Sequence, residues 1–319
     1  MFDNTAWKFY ITIIGALGSF LTLYKYWSVI REFFSKRKIA DMNKKISWEE
    51  KKGYNALMEA YAKLPSPNGI DRVNPRSTLL GLTSGKPLLE QHGFLDVSED
   101  IAASSKKISE TLRGNEEMGF LDLDEPIEWR ASPLRIPHYQ SRFSTFLAAI
   151  KAGLTLSPIT AGALICCSET KEVVYMKRSE KVHTFPSHYH HFGGGFKAST
   201  DLERFDSDDL FETAQREIRE ETGCRIAEEH FQAASMLLEG GTGYFQYLFL
   251  GVDISKEQRQ RMKHSGEGVL VDFKFDELGD ALASEPFVPT CILQTMVWLM
   301  LGAPTSSNKK FSAKSARRQ

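Results

Sequence analysis

Arg216-Glu217-Ile218-Arg219-Glu220-Glu221-Thr222-Gly223 sets three carboxylates at i, i+3 and i+4 on a short segment that ends in glycine. At about 100° per residue, Glu217, Glu220 and Glu221 fall within roughly a third of a helix circumference. Three like charges that close repel one another, and solvation alone gives a helix no reason to gather them. A hard divalent cation does: Mg²⁺ is bound through carboxylate oxygens and shared with phosphate oxygens.

The segment reads as the end of one helix. Asp206, Ser207 and Asp208 are the expected N-cap residues, and Gly223 stands where a left-handed residue closes a helix. Leu210, Phe211, Ala214 and Ile218 form an apolar strip beside the acids, so the helix can dock while its carboxylates line a cleft.

Strand-like sequence lies on both sides. Ala161–Cys167 and Glu172–Arg178 read as a hairpin turned by Ser168-Glu169-Thr170-Lys171. Val182–Phe196 leads into the glycine run Gly193-Gly194-Gly195. Ala233–Leu238, Gly243–Ile254 and Val269–Phe275 are further expected strands. Phe143–Ile150 reads as a helix, Asp276–Leu282 as the start of one, and Cys291–Leu301 as an apolar helix too short to span a bilayer. Strand-rich sequence with one central and one terminal helix is an α+β arrangement.

The REIREETG string at 216–223, preceded by the glycine run, resembles the signature of the Nudix hydrolases. The resemblance covers about residues 135–303 and implies an α/β/α sandwich around a mixed sheet. It implies a Mg²⁺-dependent hydrolase, with Mn²⁺ as a substitute, that cleaves a diphosphate bond in a nucleoside diphosphate linked to another moiety. Glu217, Glu220 and Glu221 are then the metal ligands, Arg216 orients them, Gly194 and Gly195 approach the ligand, and water attacks phosphorus. Glu220 is the first choice of general base, with Glu267, between Gly266 and Gly268, as a further base or ligand. The box is a variant one. The glutamate of the pattern eight positions before Arg216 is Asp208, the glycine six before that is Leu202, and the closing aliphatic residue is Cys224. An insertion such as Ala198–Phe205 accounts for the displaced glycines. A catalytically weak or inactive nucleotide sensor that signals to a membrane partner is the alternative reading.

His183, His188, His190 and His191 crowd the approach to the glycine run. Alternation can put His188 and His190 on one face. Partly exposed strand residues are the plainest reading, with phosphate or base contacts and a zinc site as rivals. Glu239-Gly240-Gly241-Thr242-Gly243 reads as a tight hairpin turn and not as a phosphate loop, which needs a following helix N-terminus.

With 319 residues and a formal net charge of −1, nothing suggests a polyanion-binding protein as a whole, and no sequence-specific nucleic-acid contact is expected. Cys166, Cys167, Cys224 and Cys291 show no CxxC spacing and read as reduced thiols. No charge interrupts Phe9–Tyr24, and Trp7, Tyr10, Tyr24, Tyr26 and Trp27 bracket it as an aromatic belt would. Residues 9–30 are therefore expected to be a transmembrane helix in the lipid bilayer. Residues 1–8 would form an extracytoplasmic stub. The positive run Lys25, Arg31, Lys36, Arg37, Lys38, Lys44 and Lys45 places the remainder in the cytoplasm. Residues 31–134 read as a juxtamembrane and connecting region, with an amphipathic helix at about 48–63 and short helical stretches near Val97–Leu112. Residues 304–319 read as a basic disordered tail. The substrate is a nucleotide-derived small molecule, and a homodimer is one option for assembly.

Overall fold

Ile159–Cys167 is apolar at nearly every position because both of its faces are buried. In the computed structural model of the chain, Ile159, Ala161, Ala163, Ile165 and Cys167 enter one hydrophobic cluster, and Leu164 and Cys166 enter another. A strand covered on both sides has no reason to alternate apolar and polar residues. The structure describes residues 57–59, 61 and 77–301, apart from internal segments at 84–85, 113–114, 123–124, 126, 128–133, 183–184, 198–208, 232 and 240–242.

The strands in chain order are β1 (Thr78–Thr83), β2 (Leu88–Phe94), β3 (Glu117–Leu121), β4 (Arg135–Arg142), β5 (Ile159–Cys167) and β6 (Glu172–Arg178). They continue with β7 (Tyr189–His190), β8 (Phe192–Gly195), β9 (Ala234–Leu238), β10 (Phe245–Asp253) and β11 (Gly268–Lys274). The helices are α1 (Glu99–Ser109), α2 (Phe143–Lys151), α3 (Leu210–Thr222), α4 (Lys256–Arg261), α5 (Leu278–Ser284) and α6 (Pro289–Met300).

One sheet runs β1-β9-β10-β5-β6-β11, with β7 paired to β6 and β8 to β5. The β10–β5 pairing is parallel and the β5–β6, β9–β10 and β6–β11 pairings are antiparallel, so the sheet is mixed and the fold is α+β. Leu210, Phe211, Ala214 and Ile218 of α3 pack on one face with Ala161, Ala163, Met236 and Tyr247. Ile292, Leu293 and Val297 of α6 pack on the other with Leu164, Val173, Tyr175 and Leu248. Ile292 and Leu293 are both 0% exposed; burying each contributes about 1.5–3 kcal/mol. The last helix is core, which accounts for its lack of a polar face.

Sequence read as connecting region contributes to the body. β1 pairs antiparallel with β9 at the edge of the large sheet. β2, β4 and β3 form a second, three-stranded sheet, in which β2 runs parallel to β4 and β3 antiparallel to it. The position taken as the start of the catalytic unit, Arg135, is the first residue of that sheet's central strand. The small sheet abuts the glycine strand: Gly119 N–H donates to the Phe196 carbonyl at 3.2 Å, and Leu121 N–H to the Ser157 carbonyl at 2.8 Å. Of the helix expected at 48–63, Leu57–Glu59 and Tyr61 are helical, Leu57 and Tyr61 are buried, and the Tyr61 hydroxyl donates to the Pro289 carbonyl at 3.3 Å.

The expected anchor at 9–30, the stub at 1–8 and the tail at 304–319 lie outside the described residues, as do Asp206–Asp208, the insertion at Ala198–Phe205, and His183. Among the described residues no helix is long and apolar enough to cross a membrane.

Candidate metal centre

The helix α3 is held at both ends by local chemistry. Its N-cap is Asp209, one residue beyond the expected Asp206–Asp208. The Asp209 carboxylate accepts from Glu212 N–H at 2.7 Å, and the Glu212 carboxylate accepts from Asp209 N–H at 3.0 Å. That reciprocal pair needs an acid three residues on, and Glu212 supplies it only to Asp209. Gly223 closes the helix at φ 73°, its N–H donating to the Arg219 carbonyl at 2.8 Å.

Opposite the last turns of α3 lies β8, which pairs antiparallel with β5 so that Gly194 faces Ala161 and Gly195 faces Thr160. A Cβ on Gly194 would come within 2.4 Å of the Glu217 carboxylate. A side chain there would have to push that carboxylate aside. Gly193 N–H donates to Glu221 Oε2 at 3.1 Å. Arg216 bridges strand and helix: Nη2 donates to the Gly195 carbonyl at 2.9 Å, while Nη1 lies 2.5 Å from Glu217 Oε1 and 3.5 Å from Glu220 Oε2.

The three glutamates differ in environment. The Glu220 side chain is 52% exposed and that of Glu217 16%, whereas Glu221 is 4% exposed. Burial pushes the Glu221 carboxyl well up, and the Glu217 and Glu267 charges add to this, against the Gly193 N–H and the Arg178 guanidinium. Burial also raises Glu217, opposed by Arg216 and reinforced by Glu220 and Glu267. Glu267 is exposed, in the turn before β11, where its carbonyl accepts from Ser179 N–H at 2.6 Å. Its charge acts on both Glu217 and Glu221.

The donor set fits a hard divalent cation. It is made of carboxylate oxygens from Glu217, Glu220 and Glu221, with Glu267 beside them, and two of these carboxyls are held above their ordinary range by burial and mutual repulsion. The glutamates are not drawn to a point: Glu217 and Glu220 meet the Arg216 guanidinium, and Glu221 meets the Gly193 N–H. Among the described residues, the group whose ligand atoms all lie within 4.8 Å of one another is Glu90, His92 and Glu125.

His188 and His190 are partly exposed, as the plainest reading expected, whereas His191 is buried. His191 is 2% exposed and stacks on His190 at 4.0 Å. Burial drives the His191 ring down to about 3 and His190 well below its usual value, so both are neutral at physiological pH. His188 Nδ1 lies 2.7 Å from the Pro186 carbonyl. β9 and β10 are antiparallel neighbours, and next to the connection, whose residues 240–242 lie outside the described ones, Glu239 N–H donates to the Tyr244 carbonyl at 2.8 Å and Gly243 N–H to the Glu239 carbonyl at 3.0 Å. The four cysteines are free, three buried and Cys224 half-buried.

Two neighbours of the cleft escaped sequence reasoning. Arg178, the last residue of β6, acts electrostatically on Glu221, His190 and His191. Met118 of β3 packs against Gly195. An arginine at a strand end is a weak signal, and nothing local in EMGFL announces a strand that lines a cleft.

No family model matches the chain, and no curated protein does. Among solved structures, the chain is similar to the MutT protein of Methanosarcina mazei Go1, at 21% identity over 44% of this chain and 89% of that one, with a TM-score of 0.33. It is also similar to DR0079 of Deinococcus radiodurans, at 14% identity over 56% of this chain and 98% of that one, TM-score 0.34. A third likeness is to the NUDIX domain of Shewanella oneidensis NrtR, solved with ADP ribose, at 10% identity over 47% and 88%, TM-score 0.32.

Proposed function

We propose that the chain is a Nudix-type hydrolase that uses a divalent cation, Mg²⁺ or Mn²⁺, to cleave a diphosphate bond in a nucleoside diphosphate linked to another moiety. The observation that carries this reading is the fit of Glu217 against Gly194, with Arg216 tying the same helix to the Gly195 carbonyl. A solvated acidic helix face needs neither a glycine strand pressed on its carboxylates nor a buried glutamate held by a backbone N–H.

A divalent cation bound here supplies charge neutralisation at phosphate oxygens and Lewis acidity toward water. Glu217, Glu220 and Glu221 hold it, and Gly193 N–H fixes the Glu221 carboxylate. Arg216 keeps Glu217 and Glu220 turned toward the cleft. The attacking water gives its proton to Glu220, the glutamate most open to solvent, and its oxygen bonds to phosphorus as the bridging oxygen leaves. Glu267 is the second candidate base. We further propose that residues 9–30 anchor the protein in a membrane with this domain on the cytosolic side; the uncharged run, its aromatic flanks and the basic stretch after it support that orientation.

The test is Mg²⁺-dependent cleavage by the full-length protein in detergent across nucleotide sugars, dinucleotides, ADP-ribose and coenzymes. Products formed by the parent and absent with Glu220→Gln and Glu221→Gln support the hydrolase. Tight nucleotide binding without turnover supports the sensor.

A further inference from the structure

Glu90 and His92 are two residues apart on β2 and therefore stand on the same face of the strand. Asp122 directly follows β3, and Glu125 lies in the connection from β3 to β4. These segments converge on one imidazole nitrogen: His92 Nδ1 is 3.2 Å from Asp122 Oδ2 and 3.4 Å from Glu125 Oε2. Ligand atoms of Glu90, His92 and Glu125 all lie within 4.8 Å of one another. Asp122 is 5% exposed, and Tyr139 meets the His92 ring edge-on with centroids 6.0 Å apart.

We propose that His92, Glu90 and Glu125 form a second metal site beside the buried Asp122, selective for Zn²⁺ over Mg²⁺. A ring nitrogen carries at most one proton and can donate it well to only one of two carboxylates. A cation in the proton's place serves both. With metal–ligand bonds of about 2.1 Å, neighbouring ligands of a four-coordinate ion lie roughly 3.4 Å apart, and ligands at right angles about 3.0 Å. The 3.4 Å separation of His92 Nδ1 from Glu125 Oε2 falls in that interval. The charge also fits: three carboxylates gather here, and Arg135 meets one of them, its Nη1 donating to Glu90 Oε1 at 2.6 Å. A nitrogen ligand among oxygens distinguishes this cluster from the all-oxygen set on α3, because imidazole suits Zn²⁺ whereas Mg²⁺ takes oxygen ligands. The two sites therefore sort two ions, and this assignment stands whether or not the chain is a hydrolase.

Metal-stripped full-length protein is titrated with Zn²⁺ by calorimetry in excess Mg²⁺, and with Co²⁺ as an absorbing stand-in for Zn²⁺. One Zn²⁺ site is expected in the parent and in the triple variant Glu217→Gln, Glu220→Gln, Glu221→Gln. Zn²⁺ affinity should fall at least about 10-fold in Glu125→Gln and about 100-fold in His92→Ala, with loss of the low-symmetry Co²⁺ band. Glu125 is 47% exposed and glutamine matches its shape, so its loss of affinity reads the ligand and not the fold. Zn²⁺ affinity that is unchanged in both variants, lost in the triple variant, or absent from the parent overturns the site and leaves a histidine–carboxylate ion pair only.

Discussion

A side chain at Gly194 would place its Cβ 2.4 Å from the Glu217 carboxylate, so the end of that acid lies against bare strand backbone. Gly194→Ala is expected to push Glu217 away while leaving the β5–β8 pairing in place. A displacement of about 1 Å at a catalytic group costs roughly 100-fold in rate. A loss of that size in kcat/KM, without a matching loss of thermal stability, is the expected result. Activity near that of the parent would show that the close approach does not position the acid.

Glu220 stands apart from its two neighbours by being half exposed. As general base, its replacement by glutamine should lower kcat by about 100- to 10,000-fold with little change in nucleotide affinity. Glu220→Gln and Glu221→Gln should both weaken Mg²⁺ binding, since both hold the cation. At saturating Mg²⁺ the rate loss of Glu220→Gln should persist, and a pure KM effect there would count against the base.

The raised Glu221 carboxyl makes a signed statement about pH. Its folded-state value lies above the ordinary 4.5, so the folded chain binds the proton more tightly than the unfolded chain does. Stability from this group is full at low pH and is lost as pH rises from the ordinary carboxylate range through the raised value. In metal-free protein, Glu221→Gln should therefore raise the Tm at pH 7 to 8 and leave it nearly unchanged at pH 4. Each kcal/mol is worth roughly 2–4 °C in a domain of this size. Added Mg²⁺ should raise the Tm of the parent at pH 7 to 8 more than that of the variant. Equal melting curves for parent and variant across this range would refute the account.

Lys86 sits 3.3 Å from Asp209, 2.9 Å from Glu228 and 4.9 Å above the Phe211 ring, linking the segment before β2 to the start of α3. Its side chain is 54% exposed, so Lys86→Ala should cost less than about 1 kcal/mol. Asp209→Ala also removes the capping box and should cost about 0.5–2 kcal/mol. Urea unfolding of the two variants ranks them, and the reverse order would mean that the surface pairs dominate the cap.

Much of the large sheet could be read from residues alone, because strong local signals coincide there. β5 and β6 are apolar runs joined by four polar turn residues, and α3 carries an apolar strip and a closing glycine. β1 to β3 were missed for a physical reason. TLLGLT and LLEQHGF are mostly half-buried, so neither shows a clean alternation. The parallel partner of β2 is more than forty residues away, and no local pattern encodes a pairing of that range. The depth of His191 was hidden likewise, since burial there comes from elements packed around it. Within the cleft, the glutamates and Arg216 were readable from their spacing on one helix. Arg178, Met118 and the Gly193 N–H depend on strands that meet only in three dimensions.

Glu217, Glu220 and Glu221 occupy the last two turns of α3, where the aligned peptide dipoles leave a partial negative charge. Anions at that end oppose the macrodipole, each by about 0.3–1 kcal/mol at an exposed position. The acids at the N-terminus, Asp209 and Glu212, work with the dipole instead. The helix is therefore electrostatically lopsided: acids support its start and oppose the dipole at its finish. A cation held by the three glutamates would add to Arg216 and Arg219 the positive charge that this end favours.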